Sequence, residues 1–178
     1  IKMKQIFKGL FIRFDREIKN FNAQLMDFTE KNEFHFFYSL PMGDDTYLFE
    51  STYYTSLRKD KNEMTDEVHE YIKKRYGDEY SIIREEYGEI PLTTNVKINR
   101  KNSNYLNIGI PSGSTRASTG YTFLNIQKQA DEYIKKLDGD TYIEFPSTFK
   151  SRLLRKMDNV LLQIIKDQPN ASKNILYR

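Results

Sequence analysis

A glutamate in the middle of an apolar strand is the residue of this chain best suited to chemistry. Glu50 follows Leu48 and Phe49 and precedes Tyr53 and Tyr54. Burial among such side chains raises the pKa of a carboxyl group, which can then stay protonated at neutral pH and donate a proton. A glutamate on a solvated strand face, or one paired with a lysine, would lack this property. The sequence leaves both arrangements open.

A second group of charged residues, Arg84-Glu85-Glu86, lies in another predicted strand. Strand alternation places Arg84 and Glu86 on one face and Glu85 on the other. Only one of the two glutamates can therefore share a cavity with Glu50, and the sequence does not say which. There it could tune Glu50, accept a proton or stabilise a positive charge. The alternative is a row of surface ion pairs.

A loop rich in glycine and hydroxyl side chains precedes a helical pattern. Its candidate cofactor-binding residues are Gly109, Gly113, Ser118, Thr119, Gly120 and Tyr121. Backbone N–H groups at the start of a helix form a binding site for phosphate or a flavin, and we expect Thr119 and Gly120 to begin that helix. Gly113 would let the backbone approach a planar ring closely. An ordinary helix cap is the alternative.

The elements that must position these residues predict an α+β fold. Apolar and β-branched patterns predict strands over residues 4–14, 23–28, 34–40, 46–55, 79–94 and 105–108, the fifth broken near Gly88 and Pro91. A turn over 41–45 predicts a hairpin. Apolar stripes predict helices over 64–76, 123–137 and 149–164, with Pro146-Ser147 beginning the last and Pro169 marking its end. We expect the stripes to be core, as we do the strand aromatics, and His35 and His69 to be structural or exposed.

Composition limits the classes of function. The chain has 178 residues, 38% hydrophobic, with a formal net charge of +3. It contains no cysteine and two histidines, which argues against a metal site. The mixed charge lacks the basic stripe that nucleic-acid binding needs. No apolar run spans a bilayer. We expect a cytoplasmic protein, with peripheral contact at the inner membrane face left open.

Five motifs, in this order, resemble the flavin-dependent lycopene cyclases of carotenoid synthesis. They are Leu25-Met26-Asp27-Phe28, Leu40-Pro41, Glu50-Ser51-Thr52, the segment from Arg84-Glu85-Glu86 to Pro91, and Ile108-Gly109 with Ser118-Thr119-Gly120-Tyr121. The resemblance covers roughly residues 5 to 165. Two features depart from it: no G-x-G-x-x-G fingerprint occurs, and Ala117 stands where the family usually has proline.

The resemblance implies a function and a division of the chain. Residues 1–100 would form the antiparallel-sheet, substrate-binding portion, 101–140 a return segment that contacts the flavin, and 141–178 a C-terminal helical segment of a Rossmann-like, hydroxylase-type flavoprotein fold. The substrate would be lycopene or a related acyclic carotenoid, and the cofactor reduced FAD. An N-terminal nucleotide-binding portion would be missing, so we expect this chain alone to be inactive.

The implied reaction is an isomerisation without redox. A terminal double bond is protonated, the carbocation closes a six-membered ring, and a proton is lost. Glu50 stands at the position of the family's essential acidic strand residue, with Arg84, Glu85 and Glu86 as further catalytic candidates. Two other functions stay open: a different FAD-dependent isoprenoid reductase or hydroxylase, and a non-enzymatic α+β domain that binds an apolar ligand or a protein.

Overall fold

The computed structural model describes residues 2–94, 109–137 and 149–176. The strands are β1 (Met3–Phe14), β2 (Gln24–Phe28), β3 (Phe34–Gly43), β4 (Thr46–Thr55) and β5 (Tyr80–Leu92), and the helices are α1 (Lys61–Tyr76), α2 (Phe123–Leu137), α3 (Phe149–Asp167) and α4 (Pro169–Leu176). Two compact units are formed, one by the described residues of Ile1–Lys2 and Pro91–Gln163 and the other by those of Met3–Ile90 and Ile164–Arg178.

The second unit is built on a sheet with the strand order β2-β3-β4-β1-β5 within the described residues. Strand β4 pairs antiparallel with both β1 and β3, and β2 pairs antiparallel with β3. The β3–β4 hairpin turns at Asp44 and Asp45, whose φ angles of 49° and 56° are those of a tight turn between twisted strands. The hairpin and all five strands of this unit are predicted by the sequence, but β5 runs to Leu92 without the expected break.

Helix α1 covers one face of this sheet. Asp60 caps it by accepting from the amides of Asn62 and Glu63 at 2.8 and 3.1 Å, and Gly77, at a φ of 93°, ends it. Its buried stripe packs on strand residues including Leu10 and Phe49. We call this side of the sheet the helix face. The opposite side, which carries Glu50, is the carboxyl face.

The helices after β5 differ from the sequence prediction in several respects. In α2 the apolar residues Phe123 and Ile134 are exposed, as are Leu153, Met157 and Val160 in α3. The expectation that these stripes are core is therefore wrong for those residues. Helix α4, beyond Pro169, was not predicted at all. The predicted strand over 105–108 and the helix start at 146–147 lie outside the described residues.

None of the helices in the described ranges is long and apolar enough to cross a membrane.

Candidate active site

Glu50 lies in the middle of β4 on the carboxyl face, with 9% of its surface exposed. Its cross-strand neighbours are Tyr38 of β3 and Gly9 of β1. Thr52, two residues further along the same face, donates a hydrogen bond of 2.6 Å to the Oε1 atom of Glu50. The carboxyl group is thus buried in the sheet rather than on a solvated strand face.

The surroundings of Glu50 favour its protonated form. Burial is the largest cause that raises its pKa, to about 7, and the neighbouring carboxyl group of Glu86 raises it further. The hydrogen bond from Thr52 acts in the opposite direction, because it stabilises the ionised form. At neutral pH, Glu50 can therefore hold a proton that an exposed glutamate would have lost.

The two carboxyl groups of Glu50 and Glu86 meet across an intervening strand. Glu86 lies in β5, Glu50 lies in β4, and β1 runs between them. The Glu86 side chain reaches over Gly9, which pairs with Glu50, and it raises the pKa of Glu50 both by its charge and as a hydrogen-bonding partner. A hydrogen bond between two carboxyl groups requires a proton on one of them, so this arrangement is suited to sharing a proton.

Gly9 occupies the position of β1 between these carboxyl groups. A Cβ atom at residue 9 would lie 2.9 Å from Cγ and 3.0 Å from Oε1 of Glu86, and 3.0 Å from Cδ1 of Leu48. Sequence reasoning missed this residue. The available signal was a lone glycine inside a strand of bulky residues, which marks a close approach by another group.

The other two charged candidates on β5 have different surroundings. The Arg84 guanidinium lies over the Phe11 ring, 3.9 Å from its centroid, and 3.6 Å from Oε2 of Glu86. Glu85 lies on the helix face, where the Lys8 ammonium is 2.5 Å from its Oε2 atom. The structure therefore brings Glu86, with Arg84 beside it, to Glu50 and takes Glu85 to the opposite side. A catalytic role for any of them stays a prediction.

Aromatic side chains surround Glu50 on the carboxyl face. Phe36 packs edge-on against both Tyr38 and Tyr54, with ring centroids 5.2 and 5.8 Å apart, and Phe34 lies 5.0 Å from Tyr54. Burial and the nearby Glu50 raise the pKa of Tyr38. Three further strand aromatics, Phe37, Tyr47 and Tyr53, lie on the helix face, in the core as the sequence predicts.

A polar network on the helix face surrounds His35. This side chain is fully buried; its Nε2 lies 2.9 Å from Ser51 Oγ and its Nδ1 lies 3.0 Å from Thr29 Oγ1. Ser51 donates in turn to Glu67, which also bonds Lys31 and Tyr53. Burial lowers the pKa of His35 to about 3, so the ring is neutral. The expected structural role of His35 matches this placement.

The glycine-rich loop uses most of its hydrogen-bonding groups internally. Helix α2 begins at Phe123 and not at Thr119 and Gly120, whose amides both donate to the carbonyl of Arg116. The amide of Gly113 donates to Ile110, and that of Gly109 to the side chain of Gln129. The loop therefore does not fit a phosphate cradle built from these amides. Which of its residues contact a cofactor stays a prediction.

Two buried side chains, which the sequence analysis did not single out, hold this loop. Asp158 of α3 accepts from Arg116 Nε at 2.6 Å and from Ser118 Oγ at 2.7 Å. Gln129 of α2 accepts from Ser112 and Ser114 at 3.1 and 2.9 Å. Gly113 and Gly120 have φ angles of 78° and 70°, which favour glycine. The loop is thus a fixed surface without Cβ atoms at two turns, and such a surface suits close approach by a planar ring.

Comparison with known proteins identifies the family. A crystal structure of a geranylgeranyl bacteriochlorophyll reductase-like protein from Thermoplasma acidophilum is similar to this chain, with a TM-score of 0.54 and 12% sequence identity. The match covers 93% of this chain and 48% of that one, so this chain spans about half its length. This likeness confirms the predicted α+β fold. Among curated protein sequences none matches. The family model described as lycopene cyclase protein matches residues 2–166, and the chain therefore belongs to the lycopene cyclase family.

Proposed function

We propose that this chain carries the proton donor of a lycopene cyclase that acts on lycopene or a related acyclic carotenoid. The observation that carries the proposal is the buried Glu50 carboxyl group, whose pKa burial and the nearby Glu86 raise to about 7. Because an alkene is a very weak base, its protonation needs a nearby acid that still carries its proton at neutral pH. Glu50 meets this requirement.

The proposed reaction is a net isomerisation. The O–H bond of Glu50 breaks as a C–H bond forms at the terminal double bond, which leaves a tertiary carbocation and a Glu50 carboxylate. A second double bond of the polyene attacks the cation, and the new C–C bond closes the six-membered ring. Loss of a proton from a carbon beside the new cation forms the ring double bond. That proton returns to the carboxyl pair, so no atom or electron is gained or lost.

The electrostatics of the carboxyl face suit such an intermediate. The aromatic rings of the carboxyl face carry π-electron density that can attract a cation, and the carboxylate left after proton donation would supply a negative charge. The ring of Tyr54 and its neighbours Phe34 and Phe36 are buried, so they would also keep water from a carbocation. This combination is what a cyclisation without capture by water requires.

Family membership implies dependence on a flavin. We propose reduced FAD, whose negative charge would stabilise the carbocation when the cofactor is bound. The loop of Gly109, Gly113 and Ser118–Tyr121, held by Asp158 and Gln129, would contact its ring system. Because the loop amides are used internally, we propose that a nucleotide-binding portion of the intact enzyme holds the phosphates.

The test is Glu50→Gln in the intact enzyme, with Glu89→Gln as the matched control. Glu89 belongs to the same sheet but pairs with Lys4. With reduced FAD and lycopene, we expect Glu50→Gln to lower the rate of cyclic product formation by at least about 100-fold, because the amide cannot donate the proton. Folding and flavin absorbance should be unchanged. Activity of Glu50→Gln within about threefold of wild type would remove this residue from the mechanism.

A second candidate function is reduction of an isoprenoid double bond, which the likeness to a geranylgeranyl reductase-like structure favours. The two reactions differ in the mass of the product. Cyclisation leaves the mass of lycopene unchanged, whereas reduction of a double bond adds two hydrogen atoms and consumes the reduced flavin. Mass spectrometry of the product together with the flavin absorbance distinguishes the two functions.

A further inference from the structure

Glu50 and Glu86 belong to strands that are not neighbours. Strands β4 and β5 are each next to β1, so the backbones at Glu50 and Glu86 are separated by two strand spacings, roughly 9 to 10 Å. Side chains on next-nearest strands are normally kept apart by the side chain between them. For the Glu86 side chain to approach Glu50 from that distance, the position between them on β1 must carry no side chain.

Gly9 is that position. It pairs with Glu50 in the β1–β4 register, and its nearest neighbours across the missing side chain are Cγ and Oε1 of Glu86. A Cβ atom at 2.9 and 3.0 Å from them would force Glu86 to move. Gly9 does not have a positive φ angle, so its backbone conformation does not require glycine. Glycine is needed at this position because the Glu86 side chain fills the space that a larger residue would occupy.

The groups that face the pair are few. Tyr38 of β3 and Tyr54 of β4 lie near Glu50, and each has its pKa raised in part by that carboxyl group. Arg84 of β5 lies near Glu86 but is largely exposed. Thr52 bonds Glu50 alone. Of these groups, Glu86 is the one whose position depends directly on the absence of a side chain at residue 9.

We propose that Gly9 is a positioning residue, which lets Glu86 reach across β1 and share a proton with Glu50. The catalytic meaning of this arrangement rests on the proposed function, since the pair would keep the donor protonated and receive the proton back. The arrangement itself does not depend on the reaction. A methyl group at residue 9 should move the two carboxyl groups apart, while both glutamates are kept in the protein.

The test is a double-mutant cycle on the full chain, with Gly9→Ala and Glu86→Ala made singly and together. The readout is the titration midpoint of the Glu50 side-chain carboxyl carbon, followed by NMR. We expect each single substitution to lower this midpoint by about one pH unit, because the neighbouring carboxyl group is displaced or lost. In the Glu86→Ala background, Gly9→Ala should add little, since its effect acts through Glu86.

The control is Glu89→Ala, which removes a carboxyl group of β5 that pairs with Lys4 and should leave the Glu50 midpoint unchanged. If Gly9→Ala alone does not fold, Glu86→Ala still decides, because an unchanged Glu50 midpoint in that variant overturns the proposal. Equal shifts from Gly9→Ala in both backgrounds also overturn it. Midpoints that move as expected in an intact enzyme that forms no cyclic product uphold the role of Gly9 and reject the proposed function.

Discussion

Glu85 and Glu86 are adjacent in sequence and chemically identical, yet the two faces of the sheet give them opposite surroundings. On the helix face, Glu85 pairs with the Lys8 ammonium at 2.5 Å, and this pairing lowers its pKa. On the carboxyl face, Glu86 lies beside a second acid, Glu50, and raises the pKa of that residue. The helix face places a cation against this acid, and the carboxyl face places an acid against an acid.

This difference separates a structural role from a chemical one. Helix-face charges such as Glu67 are balanced by partners, and the buried His35 is neutral, which is the arrangement that stabilises a folded unit. Two carboxyl groups in contact are unfavourable unless they share a proton, and an arrangement with this cost is typical of functional sites. The same five strands thus hold a conventional core on one side and a proton-sharing pair on the other.

The largest effect we expect is on the carboxyl face, where Glu50 should contribute less to the free energy of unfolding as pH rises. The pKa of Glu50 is about 7 when folded and about 4.5 when unfolded, so the unfolded chain ionises first. The contribution of Glu50 to the free energy of unfolding is fully present below pH 4.5 and is lost as pH rises through 7, by on the order of 3 kcal/mol. Glu50→Gln should remove this loss, as measured by urea unfolding between pH 4.5 and 8.

Glu86, Tyr38 and Tyr54 remain in the Glu50→Gln variant, so the comparison isolates one carboxyl group. Glu89→Gln serves as the control. Lys4 lowers the pKa of Glu89, so the stability difference between this variant and wild type should not fall as pH rises. A wild-type curve parallel to that of Glu50→Gln would mean that Glu50 is not protonated at neutral pH, and the contrast between the faces would be lost.

The helix face should respond to pH in the opposite direction. Burial lowers the pKa of His35 to about 3, against 6.5 when unfolded, although Glu67 partly opposes this and Lys31, Lys59 and Lys173 reinforce it. Below pH 6.5 the unfolded chain binds a proton that the folded chain does not. Between pH 7 and 5 the contribution of His35 to the free energy of unfolding should therefore fall by about 2 kcal/mol, against the gain from Glu50 over the same range.

Urea unfolding of His35→Gln tests this second slope, because glutamine keeps polar atoms near Ser51 and Thr29 but does not titrate. The advantage in stability that wild type has over this variant should therefore shrink as pH falls from 7 to 5, by about 2 kcal/mol. The control is His69→Gln, at the other histidine of the chain, which lies in α1; this variant should behave as wild type because His35 is intact. If the difference in free energy of unfolding between wild type and His35→Gln does not change with pH, the predicted titration of His35 is wrong.

Sequence patterns predicted much of this unit and part of its site. The bounds of β4 agree with the prediction at both ends, and strand alternation correctly separated Glu85 from Arg84 and Glu86, because this information is local. The choice between Glu85 and Glu86 could not be made, since it depends on which strand lies beside β1. The importance of Gly9 depends on the same non-local arrangement.

The part after β5 was harder to predict for a related reason. An apolar stripe shows that a helix has a face to bury, but not what covers it, and in α2 and α3 several stripe residues are exposed. The hydroxyl groups of the loop suggested a ligand, but Asp158 and Gln129, distant in sequence, bind several of them. Long-range partners of polar groups leave little trace in a single sequence.

The smallest expected effect concerns the ion pair that distinguishes the helix face. Lys8 has 7% of its side chain exposed and Glu85 has 52%, so the ammonium is the group that depends on its partner. Glu85→Gln leaves that ammonium buried without its counter-ion and should lower the melting temperature by a few degrees. Adding Lys8→Met should recover most of the loss, because an apolar side chain suits the same position. If Glu85→Gln instead moves the titration midpoint of Glu50, the two faces are electrostatically coupled through β5. The distinction drawn between a charge-balanced helix face and an acid pair on the carboxyl face would then be wrong.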